Sequence, residues 1–148
     1  MKSEIIYLAT PYMNDNMEVM DFRADVSDVI AASLADRGHI VFAPISSWHH
    51  IAKSYDLPKD WNFWNRLDTA FIKASSALWI IPIWGWIDSK GVTAETKLAL
   101  EYRLQIDYID PEPYVQIIKN KAWFKDEISF VYGKREYTKG ELKNGNDK

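Results

Sequence analysis

Two carboxylates carry the clearest capacity for chemistry in this sequence. Glu95 follows "SKGVTA", and Asp68 lies upstream of it in "WNRLDTAFIKASSALWII". Two carboxyl groups in one cleft can divide the roles of nucleophile and acid at an oxocarbenium-like transition state, as in sites that cleave glycosides. The sequence alone does not show that these two side chains meet.

Each carboxylate also has an ordinary structural interpretation. Glu95 is predicted in the first turn of a helix, where an acidic side chain complements the helix dipole by about 0.3–1 kcal/mol. Against that interpretation, Ser89 and Gly91 leave backbone N–H groups free to face an anion, and a carboxylate beside such donors stays ionised. Asp68 is predicted on the side of its helix opposite the apolar residues, so a solvated aspartate is its alternative.

Strands and helices alternate in the predicted order of elements. The apolar stretches "EIIYLAT", "HIVFAPI" and "ALWIIPI" predict buried strands at 4–10, 39–45 and 77–83. Helical periodicity predicts helices at 19–37, about 61–73 and 93 to about 104, whereas 46–60 is predicted to be a loop. "IDYID" and "YVQII" predict one or two further short strands. The fold class is therefore α/β, a flavodoxin/Rossmann-like open parallel sheet of about five strands flanked by helices.

The chain length predicts a single domain. We place an α/β domain at residues 1–118 and a carboxyl-terminal extension at 119–148. In the extension, "ISFVYGKREYT" fits a β-hairpin around Gly133, and "KNGNDK" resembles a frayed tail.

The composition of the chain argues against several classes of function. A net charge of -3 gives no electrostatic footprint for polymeric nucleic acid. The longest apolar run, at 77–87, is too short to cross a membrane, and the amino terminus has no signal-peptide pattern, so we expect no membrane partner and a cytoplasmic location. The chain has no cysteine, and His49 and His50 lack metal-binding spacing, so no metal site is predicted.

Ligands in open α/β sheets bind beyond the carboxyl ends of the strands. The loops at that edge contain the predicted ligand-lining residues: Pro11, Tyr12, His49, Asp88, Ser89 and Gly91. Seven tryptophans add surfaces on which a flat ring can stack. Trp48, Trp61, Trp84 and Trp86 are candidates, and we favour Trp84 or Trp86 because they lie nearest Glu95 in the sequence.

Four stretches together resemble the nucleoside 2-deoxyribosyltransferase-like superfamily, and most closely its small phage and bacterial branch. They are "IIYLATPY", "GHIVFAPI", Asp68 followed by "IKASSALWII", and "GWIDSKGVTAETKLAL", within about residues 4–110. The resemblance implies transfer of a deoxyribosyl group between bases, or its hydrolysis from a nucleoside monophosphate. It implies a nucleoside or nucleotide as the small-molecule partner, no cofactor, and a homo-oligomer.

The resemblance also implies roles for particular residues. Glu95 would attack the anomeric carbon and form a covalent glycosyl-enzyme, Tyr7 would orient it, and Asp68 would donate a proton to the leaving base. Ser89 matches a serine that helps hold phosphate in the monophosphate hydrolases, whereas the transferases often have aspartate there. Asp88 is adjacent, so a one-residue shift of the loop would restore the transferase pattern.

Two hypotheses from other classes remain open at this point. A binding protein could keep the fold and the pocket to sense or sequester a nucleotide-like ligand. A tryptophan-rich interaction module would bind no nucleotide at all. The presence of Tyr7, Asp68 and Glu95 together favours the enzyme, since a sequestering pocket has no need of a nucleophile.

Overall fold

The structure is a computed structural model that describes residues 4–119. In chain order its elements are β1 (Ile5–Ala9), α1 (Met17–Asp36), β2 (Ile40–Phe42), α2 (Pro44–Ser54), α3 (Trp61–Ala74), β3 (Ala77–Ile80), α4 (Lys90–Glu101), β4 (Gln105–Tyr108) and α5 (Glu112–Lys119). The four strands form one all-parallel sheet in the order β2-β1-β3-β4. The predicted α/β class, an open parallel sheet flanked by helices, is therefore confirmed. None of the helices within residues 4–119 is long and apolar enough to cross a membrane.

The side chains of β1 alternate between two hydrophobic cores. Leu8 packs in the core that contains residues of α1 and α5. Tyr7 and Ala9 point to the other face, into the core that contains residues of α3 and α4. Because successive side chains of a strand alternate in direction, this register delivers Tyr7 to the layer that carries Asp68 and Glu95.

Two predicted elements have the wrong type. Residues 44–54 form α2, where the end of a strand at 39–45 and a loop at 46–60 were predicted. Pro44 ends the strand segment but also occupies the first helical position, where its missing N–H costs nothing. "YVQII" lies in α5 instead of a strand, because Val115 and Ile118, one turn apart, are both buried in the core beside α1. The described part of the sheet consequently has four strands rather than about five.

The predicted carboxyl-terminal extension is largely beyond what the structure describes. The boundary after residue 118 falls in the last turn of α5 (Glu112–Lys119). The predicted hairpin around Gly133 and the predicted tail lie outside the described residues.

Arg23, a buried cation on α1, joins the loops that follow β1 and β3. Its Nη1 donates hydrogen bonds to the carbonyl oxygens of Tyr12 and Met13, both at 3.1 Å, and its Nη2 donates to the carbonyl oxygen of Trp84 at 3.0 Å. The guanidinium carbon also lies 5.5 Å from the centre of the Trp84 ring. These contacts hold two cavity-forming loops against the same helix.

Gly85 has no side chain, which lets the Arg23 guanidinium approach the backbone closely. Replacing Gly85 tests how much this contact contributes. Gly85 has φ +87°, and a Cβ there would lie 2.5 Å from Nη2 of Arg23. Gly38 has a similar φ of +91°, but a Cβ there would meet nothing within 4 Å, so Gly38 is a matched control for the backbone cost alone.

We expect Gly38→Ala to lower the free energy of unfolding by about 1–2 kcal/mol. Gly85→Ala should cost about 1–3 kcal/mol more, because Nη2 must leave the Trp84 carbonyl. Urea denaturation of both variants measures the difference. Equal losses of stability in the two variants would show that the Arg23 side chain can move away from residue 85 without an energetic cost.

Candidate active site

Tyr7, Glu95 and Asp68 meet beneath the loops at the carboxyl edge of the sheet. The hydroxyl of Tyr7 donates a hydrogen bond to Oε2 of Glu95. All three side chains are buried, with Tyr7 fully enclosed. The structure thus brings together the three residues that the sequence predicted to be catalytic, from β1, α3 and α4.

Glu95 occupies a core position of its helix. α4 begins at Lys90, three residues earlier than predicted, so Glu95 is in the second turn rather than the first. The dipole effect falls off within the first turn, which weakens the interpretation of Glu95 as a helix-dipole residue. Val92, Glu95 and Ala99 form the buried side of α4, so this carboxylate lies where an apolar residue would normally pack.

Asp68 is buried, which contradicts the alternative interpretation of Asp68 as a solvated aspartate. On α3 the buried residues are Asp68 and Ile72, one turn apart, whereas Phe63 and Phe71 of the predicted apolar side are 45% and 40% exposed. Oδ1 of Asp68 has no hydrogen-bond partner among the described residues. A buried polar atom without a partner is costly, so a hydrogen bond between this carboxyl group and a ligand would be favourable.

Burial raises the pKa of both carboxyl groups. It raises the pKa of Asp68 to about 6, against a partly offsetting effect of hydrogen bonding to Tyr7. It also raises the pKa of Glu95 well above its ordinary value; the Asp68 charge adds to this, and the Tyr7 hydrogen bond opposes it. Burial thus acts against the ionised form of Glu95, which the neighbouring N–H donors were expected to favour.

The Tyr7 phenol keeps the proton that it donates to Glu95. Its burial, followed by the charge of Glu95, raises the pKa of the phenol well above its ordinary value. The two carboxyl groups raise the pKa of the phenol through their charges, and Asp68 raises that of Glu95, so the three groups titrate as a coupled set. Such a set can supply a nucleophile and an acid to the same ligand.

A cavity of about 400 Å³ opens above the carboxyl groups. Glu95 and Asp68 both line it, whereas Tyr7 lies behind them and is not among the described lining residues. Five of the predicted ligand-lining residues also line it: Tyr12, His49, Asp88, Ser89 and Gly91. Pro11 is buried at the end of β1 and is not among the described lining residues.

Ser89 is the amino-terminal cap of α4. Its hydroxyl oxygen accepts a hydrogen bond from the Val92 N–H at 3.2 Å. The N–H groups of Lys90 and Gly91 are the first two of the helix and have no carbonyl partner within it. The donors expected in this loop are therefore present, but part of the hydrogen-bonding capacity of Ser89 serves the helix itself.

The tryptophans of the cavity are not the two that we favoured. Trp84 packs beneath Arg23, and Trp86 packs edge-on to Tyr108 at 5.6 Å between ring centres, so neither is among the described lining residues. Trp48, Trp61 and Trp64 line the cavity instead. Trp84 and Trp86 were favoured because they are near Glu95 in the sequence. That criterion failed because α2 and the start of α3 are far from Glu95 in the sequence and approach it only in the folded protein.

Several further lining residues had no sequence signal of their own. They are Thr10, Met13, Pro44, Ile45, Ala52, Lys59, Asp60, Asn62 and Lys90. Four of them, Pro44, Ile45, Ala52 and Asn62, belong to α2 or α3, and Lys59 and Asp60 immediately precede α3. The segment 46–60 was predicted to be a loop without period. Recognising Pro44 as the first residue of a helix would have placed α2 beside the site.

Within residues 4–119, no three His, Cys, Asp or Glu side chains form a group that could hold a metal ion. The residues that line the cavity bring carboxyl groups, hydroxyl groups, a phenol, an imidazole and ammonium groups to it. These groups are suited to nucleophilic and acid–base catalysis.

Comparison with known proteins places the chain in a family. A search of curated proteins finds no match for the sequence. A family model described as "Domain of unknown function (DUF1937)" matches residues 4–108, well over half of the chain, and the matched region contains Tyr7, Asp68 and Glu95. The chain therefore belongs to the family described as Domain of unknown function (DUF1937).

Proposed function

We propose that this protein cleaves the N-glycosidic bond of a (deoxy)nucleoside or of its 5′-monophosphate through a covalent intermediate on Glu95. The observation that carries the proposal is the buried contact in which Tyr7 donates to Oε2 of Glu95, with Asp68 lining the same cavity. A binding pocket would gain little from two buried carboxyl groups of raised pKa, whereas a double displacement needs both.

In the first step, a carboxylate oxygen of Glu95 forms a bond to the anomeric carbon of the sugar. The bond from that carbon to the base nitrogen breaks, its electron pair goes to the base, and Asp68 gives the base a proton. Positive charge that develops on the sugar stabilises the ionised form of Glu95, which opposes the effect of burial. Tyr7 donates a hydrogen bond to one oxygen of that carboxylate, Oε2.

In the second step, water or a second base attacks the anomeric carbon, and the bond from that carbon to Glu95 breaks. The attacking group loses its proton to Asp68, which restores the starting state. The reaction is balanced without a cofactor. Water as the attacking group makes the protein a hydrolase, and a base makes it a transferase.

The cavity wall suits a flat ring as the leaving group. Trp48 and Trp64 lie 5.6 Å apart between ring centres, and Trp61 lines the same cavity. Stacking of a base on an aromatic side chain contributes about 1–3 kcal/mol in single-strand binding proteins. A base held there would share the cavity with both carboxyl groups.

The test is incubation with a panel of ribo- and deoxynucleosides and their 5′-monophosphates, with and without a second base, followed by chromatography. We expect free base to appear with at least one substrate, and none with the Glu95→Gln protein. Release without a second base identifies a hydrolase, and exchange only with one identifies a transferase. No product across the whole panel would contradict the proposal.

A further inference from the structure

A chain of hydrogen bonds crosses the cavity wall from Tyr12 to the surface. The Tyr12 hydroxyl lies 2.7 Å from Nδ1 of His49, and Nε2 of His49 lies 2.7 Å from Oδ1 of Asp21 on α1. The ammonium group of Lys53 contacts both oxygens of Asp21, at 3.1 and 2.9 Å. Tyr12 and His49 both line the cavity, so the inner end of the chain faces the ligand space.

The partners of His49 fix the direction of this chain. Asp21 is paired with Lys53 and is a carboxylate, which can only accept hydrogen bonds, so Nε2 of His49 must carry the ring proton. When Nε2 carries the single ring proton, Nδ1 has a lone pair and accepts from the Tyr12 hydroxyl. The proton of Tyr12 is therefore directed toward His49, away from the cavity.

Tyr12 is held firmly in this arrangement. Burial, followed by the charge of Asp21, raises the pKa of its phenol to about 12, so the phenol stays neutral. The Arg23 side chain donates to the carbonyl oxygen of Tyr12 at 3.1 Å and fixes its backbone. With its only proton engaged, the phenolic oxygen can offer the cavity lone pairs and no donor.

We propose that Tyr12 is a specificity-determining residue whose oxygen, held as an acceptor by the His49–Asp21 pair, binds a sugar hydroxyl and selects uncharged nucleosides over their phosphomonoesters. This proposal rests on the proposed function and decides between the two substrate classes that it leaves open. A hydroxyl can donate to Tyr12, whereas a phosphate at the same position presents only acceptors and negative charge near neutral pH.

The charges of the cavity agree with this choice. Its described lining contains four carboxyl groups and two ammonium groups, and no arginine: Asp60, Asp68, Asp88 and Glu95 against Lys59 and Lys90. Bidentate arginine contacts are the common means of holding a phosphate. Asp60 and Asp88 alone match Lys59 and Lys90 in number, whatever the protonation of Asp68 and Glu95. The described lining therefore has no excess of positive side chains to attract a dianion.

The test uses calorimetric binding to the Glu95→Gln protein, in which the ligands persist. The probes are a deoxynucleoside that the panel shows to be bound or cleaved, and its 3′- and 5′-monophosphates. We expect one of the two phosphates to bind at least about 10-fold more weakly than the nucleoside. Adding Tyr12→Phe should weaken nucleoside binding about 10-fold and reduce that discrimination, since one hydrogen bond is lost. Adding Tyr55→Phe, which removes an exposed phenol, should change neither value.

A second measurement needs no ligand. Nitrogen-15 NMR of the histidine rings in the unaltered protein should show a proton on Nε2 of His49, facing Asp21, and a lone pair on Nδ1, facing Tyr12. A proton on Nδ1 at neutral pH would overturn the proposal, whatever the protein binds. Equal or tighter binding of both phosphates, or unchanged discrimination in the Tyr12→Phe protein, would also overturn it and leave the proposed function intact. Failure of every nucleoside and nucleotide to bind would overturn both.

Discussion

Glu95→Gln is expected to lower the rate of base release by about 10³-fold or more, because the amide cannot form the covalent bond to the anomeric carbon. The amide keeps the shape of the side chain and can still accept a hydrogen bond from Tyr7. Loss of activity should therefore occur without loss of the cavity. The measurement is the initial rate of base release under saturating substrate.

The same substitution should not weaken the fold. Burial raises the pKa of Glu95, which means that the ionised carboxylate is disfavoured in the folded protein, and the neutral amide removes that cost. Urea denaturation at neutral pH should give an equal or higher free energy of unfolding. Glu101→Gln, an exposed change on the same helix, serves as the matched control and should alter neither property. Activity close to that of the unaltered protein in Glu95→Gln would refute the role of Glu95.

Asp68→Asn is expected to slow release of an unactivated base by about 10²-fold or more, the usual contribution of a general acid. The loss should shrink for a nucleoside whose base leaves readily without a proton. That dependence on the leaving group separates an acid from a residue that only binds substrate. The comparison requires rates for at least two bases of different acidity.

The pH dependence gives a second signature of Asp68. The acid must be protonated to act, so activity that depends on it is present below its pKa of about 6 and falls as the pH rises through that value. The unaltered protein should show this fall at high pH, and Asp68→Asn should not. An unchanged high-pH limb in Asp68→Asn would assign the proton donor elsewhere.

Stability should depend on Asp68 in the same pH range. Its pKa is raised in the folded protein, so the folded state binds this proton more tightly than the unfolded chain does. That contribution is complete below about pH 4 and is lost as the pH rises through about 6. Between about pH 4 and pH 6, the free energy of unfolding of the unaltered protein should fall by on the order of 2 kcal/mol relative to that of Asp68→Asn. The exposed control Asp36→Asn should not reproduce this difference.

The parts of the fold that local patterns specify were predictable. Short β-rich apolar runs located β1, β2 and β3, and helical periodicity located α1 and α3. The alternation of strands and helices predicted a parallel sheet, and in such a sheet the loops after the strands lie at one edge. Together with the family resemblance, this pointed to Tyr7, Asp68 and Glu95 as one group. The alternation of side chains along β1 explains why Tyr7 reaches the layer of the two carboxylates.

The features that were predicted wrongly depend on contacts between residues that are far apart in the sequence. The predicted apolar side of α3 is partly exposed, because the helix turns Asp68 and Ile72 inward. "YVQII" has strand-forming residues, yet packing against α1 makes it helical. Trp48 and Trp64 reach the cavity only because α2 and α3 are both folded beside it, and no pattern near Glu95 indicates that.

The covalent bond to Glu95 is open to direct observation by mass spectrometry. A 2′-deoxy-2′-fluoroarabinonucleoside, whose fluorine destabilises positive charge on the sugar, should slow breakdown of the intermediate and let it accumulate. We expect the intact protein to gain the mass of one fluorinated pentosyl group, with the modified peptide containing Glu95, and no gain in the Glu95→Gln protein. A modification on a different residue, or base release with no adduct at any time, would contradict nucleophilic attack by Glu95.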